Sequence, residues 1–103
     1  MYSREDLKLT VVKGWWPLVE PIYSRIQELN RQGAEIVIID IKEKWGELSI
    51  SVNSAPKEIW DMIEEAEEKS AHVCENCGKP GETTMCCGGW VRTLCQECIL
   101  KMR

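Results

Sequence analysis

Phenylalanine is absent from this 103-residue chain, histidine occurs once, and cysteine is missing before position 74. A single histidine leaves little material for the nucleophile-and-base pairs of hydrolases. There is also no G-x-S-x-G, no phosphate-cradling glycine loop and no pair of carboxylates with a base nearby. No apolar run approaches the roughly 18–20 residues that span a bilayer. The opening MYSREDLKLTVVKGWW lacks the uninterrupted apolar segment of a secretory signal. Positive charge is in deficit, with 13 Lys+Arg against 17 Asp+Glu and a net charge of −4, which argues against holding nucleic acid by bulk electrostatics. Together these absences predict a non-enzymatic cytoplasmic protein without a membrane segment.

What is present reads as an α+β chain. Ser3 with Asp6 marks a helix start, and Leu7, Leu9, Val11 and Val12 follow as a short helix or an extended arm. From Pro17 to about Gln32, Leu18, Ile22, Ile26 and Leu29 recur at helical spacing, with Gly33 just past the end. Pro21 either kinks that helix or marks its proper start. EIVIIDIKEKWGELSISV then predicts an antiparallel hairpin, roughly 35–42 and 47–53, turning at Gly46. Its first strand is apolar enough to be covered on both faces. Ser54 is placed to cap a second helix with Pro56 in its first turn; Ile59, Ile63 and Ala66 form the buried stripe, widened by Trp60. Six acids against two lysines at 56–71 make either a hydrated face or a docking surface for a basic partner. The expected organisation is a core domain over 1–71, two helices packed on a hairpin, and a small module over 72–103.

That module holds all six cysteines, and a tail of this size needs a staple to fold. Cys74 and Cys77, then Cys95 and Cys98, match the C-x2-C-x15–20-C-x2-C template of a four-thiolate zinc site. A two-residue gap lets both sulfurs of one turn reach the same metal. Four thiolates also close the coordination sphere, so the expected ion is one structural Zn2+. A thioredoxin-like redox role fits poorly, since neither pair follows a strand in a βαβ pattern. Cys86 and Cys87 are surplus. They are free thiols in a loop, or one enters the zinc shell, or all six build a two-zinc cluster. His72 is either a surface imidazole or a further ligand.

Five tryptophans are many for this length, and they stand where phenylalanine usually does. Trp16, Trp60 and Trp90 are expected in the core. Trp45, between Lys44 and Gly46, has less reason to be buried. It can anchor a partner, fold over the sheet, or seal the zinc module. Lys42, Lys44, Trp90 and Arg92 are its candidate neighbours.

The motifs GWWPLV (14–19), KEKWGEL (42–48), CENCGKPG (74–81) and GWVRTLC (89–95) resemble those of a family of small zinc-ribbon-like proteins encoded by bacteria, prophages and tailed phages. Members of that family often carry Phe or Tyr where this chain has Trp16 and Trp45. The resemblance supports Cys74, Cys77, Cys95 and Cys98 as ligands and does not extend to Cys86, Cys87 or Pro21. It implies a phage or mobile-element accessory protein acting on a host factor. The resulting expectation is a zinc-binding interaction module that binds and modulates, for example inhibits, a host protein. The alternative is a nucleic-acid-binding regulator using Lys79, Arg92, Lys101 and Arg103 of the zinc ribbon.

Overall fold

The computed structural model of the chain describes residues 4–86 and 89–101, without the side chains of Arg4, Cys86 and Trp90. Its elements run α1 (Arg4–Thr10), a 3-10 turn (Lys13–Trp15), α2 (Trp16–Arg31), β1 (Ile38–Lys44), β2 (Glu47–Val52), α3 (Lys57–Ser70), β3 (Glu82–Cys86), β4 (Trp90–Leu94) and α4 (Gln96–Lys101). The fold is α+β, with two antiparallel hairpins. No described helix is long and apolar enough to cross a membrane.

The N-terminal segment is helical, not an extended arm. Leu7 and Val11, one turn apart, are buried, while Leu9 faces solvent. Ser3 lies outside the described residues. α2 runs without interruption through Pro21, so the helix does not restart there. It buries Val19, Ile22, Tyr23 and Ile26. Beyond it, Gly33 N–H bonds Asn30 O and Ala34 N–H bonds Leu29 O, both at 3.1 Å, the paired bonds of a Schellman ending. The Asn30 amide then bonds both backbone groups of Ile36 at 2.9 Å and steers the chain into β1.

The hairpin turns at Trp45 and Gly46, with Lys44 opposite Glu47. Both turn residues have positive φ, 54° and 81°, the signature of the type I′ turn that suits strand twist. Alternation turns Val37 and Ile39 outward, and the register shift between Ile38 and Asp40 returns Ile41 to the same face as Ile38. The expectation of a first strand covered on both faces is therefore wrong: Val37 is partly exposed and Ile39 is 60% exposed. Only Ile38 and Ile41 of β1 reach the core, meeting Leu48, Ile50 and Val52 of β2.

α3 does more than cover this sheet. Leu48 N–H donates to Ser70 Oγ and Ile50 N–H to Glu67 Oε2, each at 2.9 Å. Side chains of the helix thus satisfy donors on β2 that face away from β1. Ser54 does not cap this helix; the N-cap is Pro56, extended at ψ 160°, and the first helical residue is Lys57. Pro56 already fixes the backbone for entry, so no side-chain cap forms there. Trp60 also departs from expectation. It stands on the flank of α3, 44% exposed, while Trp15 takes the core position at 1%. Trp16 is half-buried against the core, with Lys8 Nζ 5.6 Å from its ring centre. The acidic face of α3 carries Lys57–Asp61 and Lys69–Glu65 ion pairs at 2.8 Å, and Arg25 of α2 reaches Glu58 at 3.1 Å.

The remaining chain forms a separate, much smaller cluster. β3 and β4 pair from Glu82↔Leu94 to Cys86↔Trp90, so the segment between the cysteine pairs is a hairpin and not merely a loop. The molecule measures 48 × 24 × 20 Å, and its radius of gyration of 14.4 Å exceeds the about 13 Å of a compact chain of this length.

Candidate metal centre

The first cysteine pair sits in a knuckle entered by the isolated bridge Val73↔Pro80. Cys74 N–H bonds Lys79 O at 2.7 Å and Gly78 N–H bonds Cys74 O at 2.9 Å, which folds residues 74–79 back on themselves. Gly78 has the positive φ, 82°, expected of such a turn. The second pair is built differently. Cys95 ends the β4 hairpin and Cys98 lies in the first turn of α4, where Ile99 N–H returns to Cys95 O at 3.0 Å. The two halves bring the Sγ atoms of Cys74, Cys77, Cys95 and Cys98 within 4.8 Å of one another. Cys77 and Cys95 Sγ are 3.5 Å apart, close to the roughly 3.8 Å edge of a tetrahedron with 2.3 Å metal–sulfur bonds. These four cysteines can hold one metal ion. His72 is exposed and outside the group, while the Cys86 side chain and Cys87 lie outside the described residues.

The thiols of Cys74 and Cys77 are shifted in opposite directions. Burial pushes the Cys74 thiol up, but N–H groups of Cys95, Cys77 and Asn76 outweigh it and bring it down to about 6. Cys77 moves the other way. The Lys79 N–H works downward, yet burial and the thiols of Cys95, Cys74 and Cys98 push it up to about 12. For Cys98 the Asn76 amide, 3.3 Å from Sγ, works downward, but Cys95 and burial leave the thiol raised. One sulfur ionises readily, and crowding discourages negative charge on its neighbours. A divalent ion held by these four sulfurs would reverse that balance, because its charge would favour every thiolate at once.

The centre is joined to the larger core by close backbone contacts. Gly14 N–H bonds Glu75 O at 2.7 Å, and a Cβ at Gly14 would lie 1.9 Å from Cys74 O. Only glycine fits between the two segments. Trp15 Nε1 donates to Val73 O at 2.8 Å. On the far side, Gly46 O accepts from the Thr93 hydroxyl, and the position a Gly46 Cβ would take lies 3.2–3.3 Å from Thr83 and Val91.

Glu75, inside the first Cys-x-x-Cys, is only 3% exposed. Its Oε1 is ion-paired to Arg92 Nε, and its Oε2 has no hydrogen-bond partner among the described residues. Nothing in the sequence distinguishes Glu75 from a surface acid, and Thr93, fully buried, was equally illegible. Gly14 had a visible signal, the GWWP punctuation, but not a visible role.

Of the expected partner residues, Trp45 is 74% exposed at the turn, with Lys44 and Lys42 exposed beside it. Lys42 approaches Asp40 at 3.4 Å. Arg92 is half-buried and engaged with Glu75, so it does not join Lys44 as a free cation. The Trp90 side chain lies outside the described residues. Of the basic set considered for nucleic acid, Lys79 pairs with Glu97 at 3.3 Å, Lys101 is exposed, and Arg103 lies outside the described residues. No protein-family model, curated protein or solved structure matches the chain.

Proposed function

We propose that this protein is a zinc-stapled module that binds another protein through the turn at Trp45. Four thiolates in a tetrahedral set support Zn2+ as the ion, since soft ligands favour it over oxygen-seeking cations. A zinc ion held there would supply a closed crosslink with no position left for water. The chain's own residues do the rest: the knuckle at 74–79 and the start of α4 fix the sulfurs, and Asn76 donates to Cys98.

The observation that carries the interaction reading is Trp45 itself. A bulky residue at φ 54° carries backbone strain of about 1–3 kcal/mol, and exposure gives it no compensating burial in the free chain. Asn or Gly would fill the position without strain. A large aromatic presented on a rigid turn is the type of residue that dominates protein interfaces. The phage-like motifs support a host protein as the partner, bound without catalysis. Two measurements test the proposal. Elemental analysis is expected to return one zinc per chain; less than about half an equivalent, with folding indifferent to chelators, refutes the staple. Trp45→Ala is expected to weaken capture of the host partner by at least about tenfold while leaving zinc content unchanged. Equal capture by both forms rejects this surface.

A further inference from the structure

We propose that zinc occupancy sets the conformation of the turn that presents Trp45, and that Thr93 is the positioning residue that carries the effect. The inference rests on the zinc-stapled reading above and names how that site is regulated.

Thr93 lies between the metal centre and the turn. It is two residues before the ligand Cys95, and its carbonyl accepts from Glu75 N–H at 2.9 Å, next to the ligand Cys74. Both halves of the cysteine set therefore hold its backbone. Its hydroxyl contacts Thr83 Oγ1 at 2.9 Å and donates to Gly46 O in a buried environment. Gly46 N–H, in turn, is held by Glu43 Oε1 at 2.9 Å. The turn is thus gripped at both backbone groups of Gly46, one grip from its own strand and one from the metal module.

The strain at Trp45 makes the second grip consequential. A left-handed bulky residue persists only where its surroundings over-determine it. The surroundings on the module side are weak without metal. The small cluster there contains Cys74, Leu94, Cys95 and Cys98, with Ile99 packed alongside. Take the ion away and β3–β4 loses what orders it, the Gly46 carbonyl loses its donor, and Trp45 is free to relax toward ordinary backbone. Zinc thereby acts on an exposed residue that it never touches.

The test uses the full chain with fluorotryptophan incorporated, read by fluorine NMR, with the Trp45 resonance assigned by its loss in Trp45→Phe. Trp60 on α3 serves as the internal reference. Chelation is expected to shift or broaden the Trp45 signal and to speed amide exchange at residues 44–47 by at least about tenfold. Zinc-loaded Thr93→Val, which lacks the hydroxyl but keeps the shape, is expected to reproduce this change with zinc content intact. Zinc-loaded Thr93→Ser, which keeps the hydroxyl, is expected to behave as wild type. A merely structural role for Thr93 would not separate valine from serine. A Trp45 signal that ignores chelation overturns the proposal, as does a Thr93→Val protein that retains the wild-type signal. If chelation also moves Trp60, the whole chain is melting and the Thr93 pair alone decides. The readout needs no partner, so a responsive turn with undiminished capture by Trp45→Ala would reject the interaction surface and leave the coupling standing.

Discussion

The two hydrophobic clusters of this chain solve the same problem with different materials. The larger joins Leu7, Trp15, Ile26, Ile59 and their neighbours from α1, α2, α3 and the first hairpin. The smaller is dominated by cysteine, with Leu94 its one fully aliphatic buried member. Burial of aliphatic side chains at about 1.5–3 kcal/mol each can hold the first together. The second has too little apolar surface to do so, and it gathers four cysteines that can hold a metal ion. The difference teaches that where apolar side chains run out a small module can carry a potential ligand set instead, leaning on the wall that a larger neighbour supplies.

Metal removal is the strongest way to break the comparison. Zinc binding contributes on the order of 10 kcal/mol to small structural sites. Chelation at neutral pH is therefore expected to abolish amide protection across residues 74–98 while the α2 and α3 amides stay protected. Loss of protection everywhere at once would show that the larger cluster is not self-sufficient. Acid acts in the same direction. Above pH about 6 Cys74 is already ionised, whereas the raised Cys77 and Cys98 thiols must each lose a proton on binding. Protons therefore compete with metal, and affinity is expected to fall by at least about two decades per pH unit between pH 8 and 6, as a competition titration would show.

The seam ranks next. Gly14→Ala places a methyl inside the Cys74–Glu75 backbone, and the forced separation is expected to cost about 3 kcal/mol in chemical denaturation. An effect below about 0.5 kcal/mol, the size of an ordinary surface substitution, would show that the contact yields freely. Trp15→Phe keeps most of the buried ring but leaves Val73 O without its donor, for an expected loss of about 2 kcal/mol. The smallest effect has the opposite sign. Trp45→Asn relieves the left-handed strain and is expected to stabilise the chain by about 1 kcal/mol. An unchanged or lower melting temperature would remove strain from the account of this turn.

The grouping of Cys74, Cys77, Cys95 and Cys98 was legible because thiolate ligation demands a spacing, and the spacing survives in one dimension. The helices and the first hairpin were legible from period and punctuation. Trp15 and Trp60 were not, because two adjacent tryptophans compete for one core position and a helix flank cannot be told from its buried stripe by spacing alone. The bulge beside Ile39 was hidden for a similar reason: an apolar run reads as doubly covered until the partner strand is known. Ser54 resembled a cap, yet Pro56 alone determines where α3 begins. The seam at Gly14, Glu75 and Thr93 consists of contacts between segments far apart in sequence, and no local pattern announces those.

One contact in the larger half has a consequence for company as well as for folding. Ser70 and Glu67 occupy the outward N–H groups of Leu48 and Ile50. A two-stranded ribbon normally offers such a row to any passing extended chain, which is how sheets recruit strangers and fibres grow. Here a helix stands in for the third strand and accepts the bonds with side chains. That rim of the sheet, the outer edge of β2, is closed to strand addition.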